Sequence, residues 1–294
     1  MLRLICVRFH GDASQALAFL LKPPLVGRAI HRSRPLLSER RKMLISKRFQ
    51  HLWVVFGMAM LAGVMSTESV TAQQADFLFK CPKAALGVRL GHSSPRAQSE
   101  VFDFTREHLT VDRSDFDGLS IDGELSVRMT RHLDAALSVG VEQSNTRSEL
   151  RDWVDDNNLP IEQSTRFTRV PVTLGVKAYL LERGRCVGRL AWIPKKLAPY
   201  LGAGVGIVWH NFRQIGDFVD FDTNDIFFDR FESQASSSLA YLAAGFDLSL
   251  GPRWFLSSEA RYSWASAEMG HDFVGFNDID LTGLKATVGV SIRF

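Results

Sequence analysis

The sequence lacks the features that would mark several common protein classes. Its longest apolar run, Leu52–Met65, has 14 residues, short of the ~18–20 that a permanent helix needs to cross ~30 Å of hydrocarbon. Three cysteines in 294 residues exclude a disulfide-dense scaffold, and no Cys/His pair has zinc-finger spacing. No glycine-rich loop is placed to cradle a phosphate, since Gly202, Gly204 and Gly206 recur with period two. A basic surplus is also missing where it would matter. The whole chain carries a formal +3, but from Gln73 onward 24 basic residues face 29 acidic ones, a net −5. A nucleic-acid partner is therefore not expected. After Cys81 no helical period of useful length occurs.

What is present begins with an export pattern. Lys47 and Arg48 precede the apolar run, and Val70-Thr71-Ala72 supplies small residues for cleavage. Residues 1–42 read as an upstream leader from an early start, 43–72 as a secretory signal peptide, and 73–294 as the mature domain. An uncleaved anchor and an unusually long charged region remain open as alternatives.

The mature chain is written in period-two alternation, in segments of about ten residues. In Leu284–Phe294 every even position is apolar and every odd one polar, charged or Gly, so the two sets point to opposite faces of a strand. The same code spans Leu86–Gly91, Ile121–Met129, Leu137–Glu142, Arg169–Ala178, Leu201–Trp209, Leu242–Leu248 and Leu256–Trp264. Eight strands follow, with short turns at Thr130–Leu133 and Gly251–Arg253, a medium one at Glu182–Lys196, and long loops at the other end. The expected fold is all-β, an eight-stranded antiparallel transmembrane β-barrel with an up-and-down meander. Trp209, Tyr262, Trp264 and Phe294 fit interfacial girdles. A soluble barrel of the lipocalin kind, apolar inside, is the structural rival.

These features resemble the small outer-membrane β-barrels of the OmpA/OmpX type. The resemblance covers nearly all of the mature chain. Its strand sequences include Arg169-Val170-Pro171-Val172-Thr173-Leu174-Gly175-Val176-Lys177, Pro199-Tyr200-Leu201-Gly202-Ala203-Gly204-Val205-Gly206 and Glu259-Ala260-Arg261-Tyr262. It implies the outer membrane of a diderm bacterium, outer-membrane lipid as solvent, and both termini in the periplasm. It also implies that Val288–Phe294, ending in the aromatic Phe294, is the signal read by the barrel-assembly machinery. A monomer is expected, and the surface ligand stays unidentified.

Inward parity gathers Arg89, Glu124, Arg128, Glu142, Arg169, Lys177, Asp247, Glu259, Arg261, Lys285 and Arg293. In a lumen barely wide enough for side chains they should pair into an ionic plug. Switching of those pairs to open a narrow channel for small solutes is the alternative. Some barrels of this size modify lipid A, which needs His, Ser and an acid on the outer rim. Of His92, His108, His132, His210 and His271, His92 alone has a Ser two residues on, and no acid lies within seven residues of it, so no catalytic activity is expected and the role is envelope-structural or surface-presenting. The long loops hold 21 acids against 7 bases. Asp217-Phe218-Val219-Asp220-Phe221 recurs as Asp272-Phe273-Val274-Gly275-Phe276, with a looser echo at Asp152–Asn157. Asp217, Asp220, Asp222, Asp225, Asp272 and Asp278 are candidate Ca²⁺ ligands; loop-on-loop aromatic packing is the plainer reading. Cys81 and Cys186 both fall on the short-turn side. If that side is the oxidising periplasm, a disulfide is expected, drawing the basic Glu182–Lys196 segment across the mouth.

Overall fold

A computed structural model describes residues 77–294 apart from Asp156, Arg189, Phe221 and Asp222. The leader and signal readings, and the candidate ligand Asp222, lie outside the described residues. Eight strands close into one antiparallel ring. They are β1 (Ala84–Pro95), β2 (Gly118–Arg128), β3 (Leu133–Val154), β4 (Pro160–Tyr179), β5 (Leu197–Val219), β6 (Ile226–Ser249), β7 (Trp254–Trp264) and β8 (Gly283–Arg293). Each pairs with its sequence neighbour, and β8 pairs back to β1 from Gly283↔Pro95 to Arg293↔Ala85. The up-and-down meander expected from the alternation is the observed topology.

The polarity of the wall decides between the two barrel types. Val205 is 64% exposed and Val288 56%, whereas Arg89 is 1% exposed and Glu259 3%. Apolar side chains face outward in a continuous belt and charges face inward. A water-soluble barrel needs the reverse; this is the surface of a barrel that spans a membrane. Tyr241 shows why small residues share the inner face. A side chain on Gly175 would meet its hydroxyl, and one on Gly204 would meet its ring.

Strand length departs from the sequence reading. β1, β2, β7 and β8 have 11 or 12 residues, but β3 to β6 have 20 to 24. Residues 144–165 and 210–235, expected as long loops, are mostly strand, joined through 155–159 and 220–225. One half of the wall therefore rises well past the other. A helix, α1 (Glu100–His108), also appears where no helix was expected. Nine residues are too few to be stable alone; α1 is held by burying Val101, Phe102 and Thr105.

The raised half of the sheet and α1 enclose a second core. Phe102 packs edge-on against Phe116, Phe167 and Phe212, with ring centres 4.8, 5.6 and 5.8 Å apart. Phe218, from the first repeated motif, and Phe273, from the second, both contact Phe231, at 4.6 and 6.3 Å. Beyond its pairing with β2, the free edge of β3 is met by the first loop. Thr110 N–H donates to the Glu149 carbonyl at 2.9 Å, and Glu149 N–H donates to Thr110 Oγ1 at 2.9 Å. The free edge of β6 is met by the last loop, where Glu232 N–H donates to Asp272 Oδ2 at 3.0 Å.

The opposite end carries its own small sheet. Leu78–Phe79 pairs with Ala191–Pro194, which pairs with Gly184–Val187. Cys81 and Cys186 are disulfide-bonded with Cα atoms 6.1 Å apart, a span within the usual range. Trp192 is buried beneath the barrel mouth, its ring centre 5.2 Å from the Arg293 guanidinium.

Candidate functional site

The inward set forms connected layers of charge across the lumen. In the middle, Arg89 Nη1 lies 2.9 Å from Glu124 and 3.1 Å from Glu259. Lys177 bonds Glu124 and lies 3.7 Å from Glu259, while Arg261 reaches Glu259 at 2.8 Å. Tyr200 donates its hydroxyl to Glu259 at 2.9 Å, and its ring lies 4.5 Å from Lys177 Nζ. Glu259 thus collects donors from β1, β4, β5 and its own strand. Isolated charges in so dry a space would be expensive, and mutual pairing offsets that cost.

Nearer the loop end, Arg169 bonds Glu142 at 2.8 Å and Lys285 bridges Asp122 at 2.8 Å and Glu142 at 3.1 Å. Ser93 ties this layer together, donating to Glu142 at 2.9 Å and accepting from Arg169 at 2.7 Å. Arg169 also donates to the Leu281 carbonyl at 2.8 Å, so the last loop is fastened to the lumen charges. Above it lies the aromatic core around Phe102, Phe167 and Phe212.

Toward the turn end the network becomes less ionic than the parity reading anticipated. Asp247 accepts from the Tyr179 hydroxyl at 2.9 Å. Arg293 donates to Ser249 Oγ at 3.0 Å, and its guanidinium is 4.1 Å from the Phe255 ring centre. Arg128 corrects the reading outright: it is half-buried at the rim and donates to the Thr130 carbonyl at 3.2 Å. As the last residue of β2 it stands where the wall gives way to a turn. Two lumen partners escaped the sequence reading, Asp134 and Arg183, which bond at 2.6 Å at this mouth. Tyr179, Tyr200 and Tyr241 escaped it too. Their signal was available, because Tyr200 shares parity with Gly202 and Tyr241 with Asp247.

The described candidate Ca²⁺ ligands do not converge. Among the described residues no group of three or more His, Cys, Asp or Glu side chains is arranged to hold a metal ion. Asp217 lies on β5, and Asp220 and Asp225 close the tip by a backbone bond of 3.0 Å. Asp272 instead caps the β6 edge and lies 2.9 Å from His271; Asp278 lies in the last loop. The histidines are also dispersed. His92 meets Asp117 at 3.0 Å, His132 meets the Tyr179 carbonyl in a turn, and His210 is buried inside the wall.

On the outer face the rows of the extended sheet can be read from the register. Trp209 stands beside Val170 and Ser236. The next outward row is Gln143, Thr168, Asn211 and Gln234, followed by Asn145, Arg166, Arg213 and Glu232, and then Arg147, Ser164, Ile215 and Arg230. Glu232 accepts from Arg213 and Asn211 at 2.7 Å, from Arg230 at 2.6 Å, and from Gln234. Burial alone would raise its pKa, but these donors hold it down to about 2.

No protein-family model and no curated protein matches this sequence. Similar solved structures exist. Neisserial surface protein A is 11% identical, with 75% of this chain and 98% of that one covered and a TM-score of 0.39. The outer membrane protein OprG of Pseudomonas aeruginosa is 14% identical, with 73% and 97% covered and a TM-score of 0.39. The N-terminal β-barrel domain of OprF, from the same organism, is 13% identical, with 74% and 100% covered and a TM-score of 0.33.

Proposed function

We propose that this protein is a non-catalytic, non-conducting barrel of the outer membrane that presents a folded cap at the cell surface. Both chain ends lie on the periplasmic side in this reading, and the raised half of β3–β6 with α1 stands outside the cell. The observation that carries it is the lumen itself. The layers centred on Glu259 and Glu142 join buried charges on strands around the ring. The aromatic core lies over one end and the disulfide-tied sheet with Trp192 over the other. Such an arrangement suits an anchor better than a pore.

The remaining assignments follow from the same reading. Residues 43–72 direct export, and Phe294 serves as the assembly signal. Its side chain is 64% exposed, while its carbonyl accepts the Lys83 and Ala84 N–H groups at 2.9 and 3.0 Å. The protein works as a monomer. Planar-bilayer recording of the refolded protein is the test, with no unitary conductance expected. Reproducible single-channel steps would overturn the anchor reading. Identical gel mobility before and after boiling would overturn the membrane barrel itself, because folded barrels of this kind resist detergent.

A further inference from the structure

We infer that the outer face of β3–β6 is a binding surface for a phosphorylated lipid of the outer leaflet, an inference that rests on the outer-membrane location proposed above. Four arginines, Arg147, Arg166, Arg213 and Arg230, project outward from four adjacent strands in two successive rows. With strands ~4.8 Å apart they fall within a patch about 15 Å wide. Glu232 is the acid within these rows, and the next row up is acidic, where Glu149 pairs with Glu162 and Asp217 follows on β5.

Two observations make the patch more than a solvated surface. First, Arg166 and Arg213 are direct cross-strand partners, a like-charge pair that costs stability unless an anion joins it. Glu232 answers Arg213 and Arg230, whereas Arg166 and Arg147 have no carboxylate within ion-pair distance among the described residues. An arginine fork is also the geometry that takes a phosphate through paired N–H donors.

Second, a largely apolar groove of about 990 Å³ crosses β4–β7, three of whose strands carry the arginines, and is lined by Leu174, Val205, Ile207, Trp209, Ser238 and Trp264. Arg166 stands four residues beyond Val170 on β4, and Arg213 four beyond Trp209 on β5. At ~3.3 Å per residue and ~40° of tilt, the two guanidinium rows stem from positions about 10 and about 15 Å past the aromatic girdle. Between them lies the uncharged row of Gln143, Thr168, Asn211 and Gln234. The order is groove, amide row, cation rows. It matches a lipid with acyl chains, a sugar or amide backbone and phosphates outermost, and a basic cluster at that level recognises anionic headgroups.

Native mass spectrometry of the full chain, folded in neutral detergent, tests this with diphosphorylated lipid A and the same lipid stripped of its phosphates. The phosphorylated form should be retained roughly tenfold better, as paired charge-assisted bonds predict. Arg147→Gln/Arg166→Gln/Arg213→Gln should abolish that preference, and Arg96→Gln, in the first loop away from this face, should keep it. Should the triple variant not fold, Arg166→Gln alone should cut the preference by about threefold. Equal retention of both lipids by the wild-type barrel, or an unchanged preference in the arginine variants, would overturn the inference. Heat-modifiable mobility is read on every sample: a folded barrel without lipid preference removes this inference alone, and a wild-type chain without that mobility removes the membrane location.

Discussion

Arg89 on β1 and Glu259 on β7 bond at 3.1 Å past the intervening β8, each side chain only 2% exposed. Glu259 is the one carboxylate shared by Arg89, Arg261, Lys177 and Tyr200. Glu259→Ala would take the carboxylate from Arg261 and Tyr200 and leave Arg89 and Lys177 to share Glu124 alone, and should lower stability by ~3–5 kcal/mol. Glu259→Gln, which can still accept from Tyr200, should cost less. Urea unfolding in lipid, followed by tryptophan fluorescence, measures both. A loss within ~0.5 kcal/mol for the alanine variant would mean that water fills the lumen.

The Cys81–Cys186 bond spans 105 residues of chain. By the chain-entropy model, its removal in Cys81→Ser/Cys186→Ser should lower stability by up to about 4–5 kcal/mol. It should also loosen the sheet that carries Trp192, so acrylamide quenching of tryptophan should increase. Thiol labelling of the denatured, unreduced protein is the direct check. No reactive thiol is expected from the mature chain, and two per molecule would rule the bridge out.

Phe102 is fully buried in the cap core, against Phe116, Phe167 and Phe212. Phe102→Ala should destabilise that core by ~3–5 kcal/mol. The barrel register does not involve α1, so heat-modifiable mobility should survive. The two effects separate in one sample, with faster proteolysis within residues 96–117 and an unchanged gel shift. Loss of the gel shift would show that cap and barrel fold as one unit.

Glu232 ties the raised sheet to pH. Its folded pKa of about 2 lies below the ordinary 4.5. The carboxylate therefore stabilises the fold above its unfolded pKa, and that stability is lost as pH falls toward the folded value. A carbon-13 carboxyl titration should give a midpoint near 2 for this residue. Glu232→Gln should remove the acid dependence of protection around Arg213 and Arg230. A midpoint near 4 would mean that the four donors do not hold the group in solution.

The barrel was legible because one side of each spanning strand meets hydrocarbon. Leu284–Phe294 can alternate so cleanly only where every second side chain has a single acceptable solvent. The upper halves of β3–β6 were illegible for the converse reason. In Ser144–Arg151 the inward residues are Ser144, Thr146, Ser148 and Leu150 and the outward ones Asn145, Arg147, Glu149 and Arg151. Both faces are largely polar, so alternation in burial leaves little trace in hydropathy. Helix α1 offers only Val101, Phe102 and Thr105 to its core, too short a pattern to stand out. Among site residues, parity found Glu259, Lys177 and Arg169, but it carried Arg128 inward although the strand ends there. Repetition of Asp-Phe-Val drew attention to oxygen ligands, whereas the aromatic half of that motif makes the contacts through Phe218, Phe273 and Phe231.

Seven of the eight pairings in the ring join strands adjacent in the chain, but β1 and β8 meet across 188 to 208 residues. That seam is the largest single loop closure of the fold, so its formation should set the pace of maturation. The tall hairpins β3–β4 and β5–β6 can zip up early from local contacts. A chain missing its last strand would keep them yet leave the edges of β7 and β1 bare, ready to pair with other chains. Quality control over this protein therefore concentrates at one long-range junction, where the Phe294 carbonyl takes the N–H groups of Lys83 and Ala84.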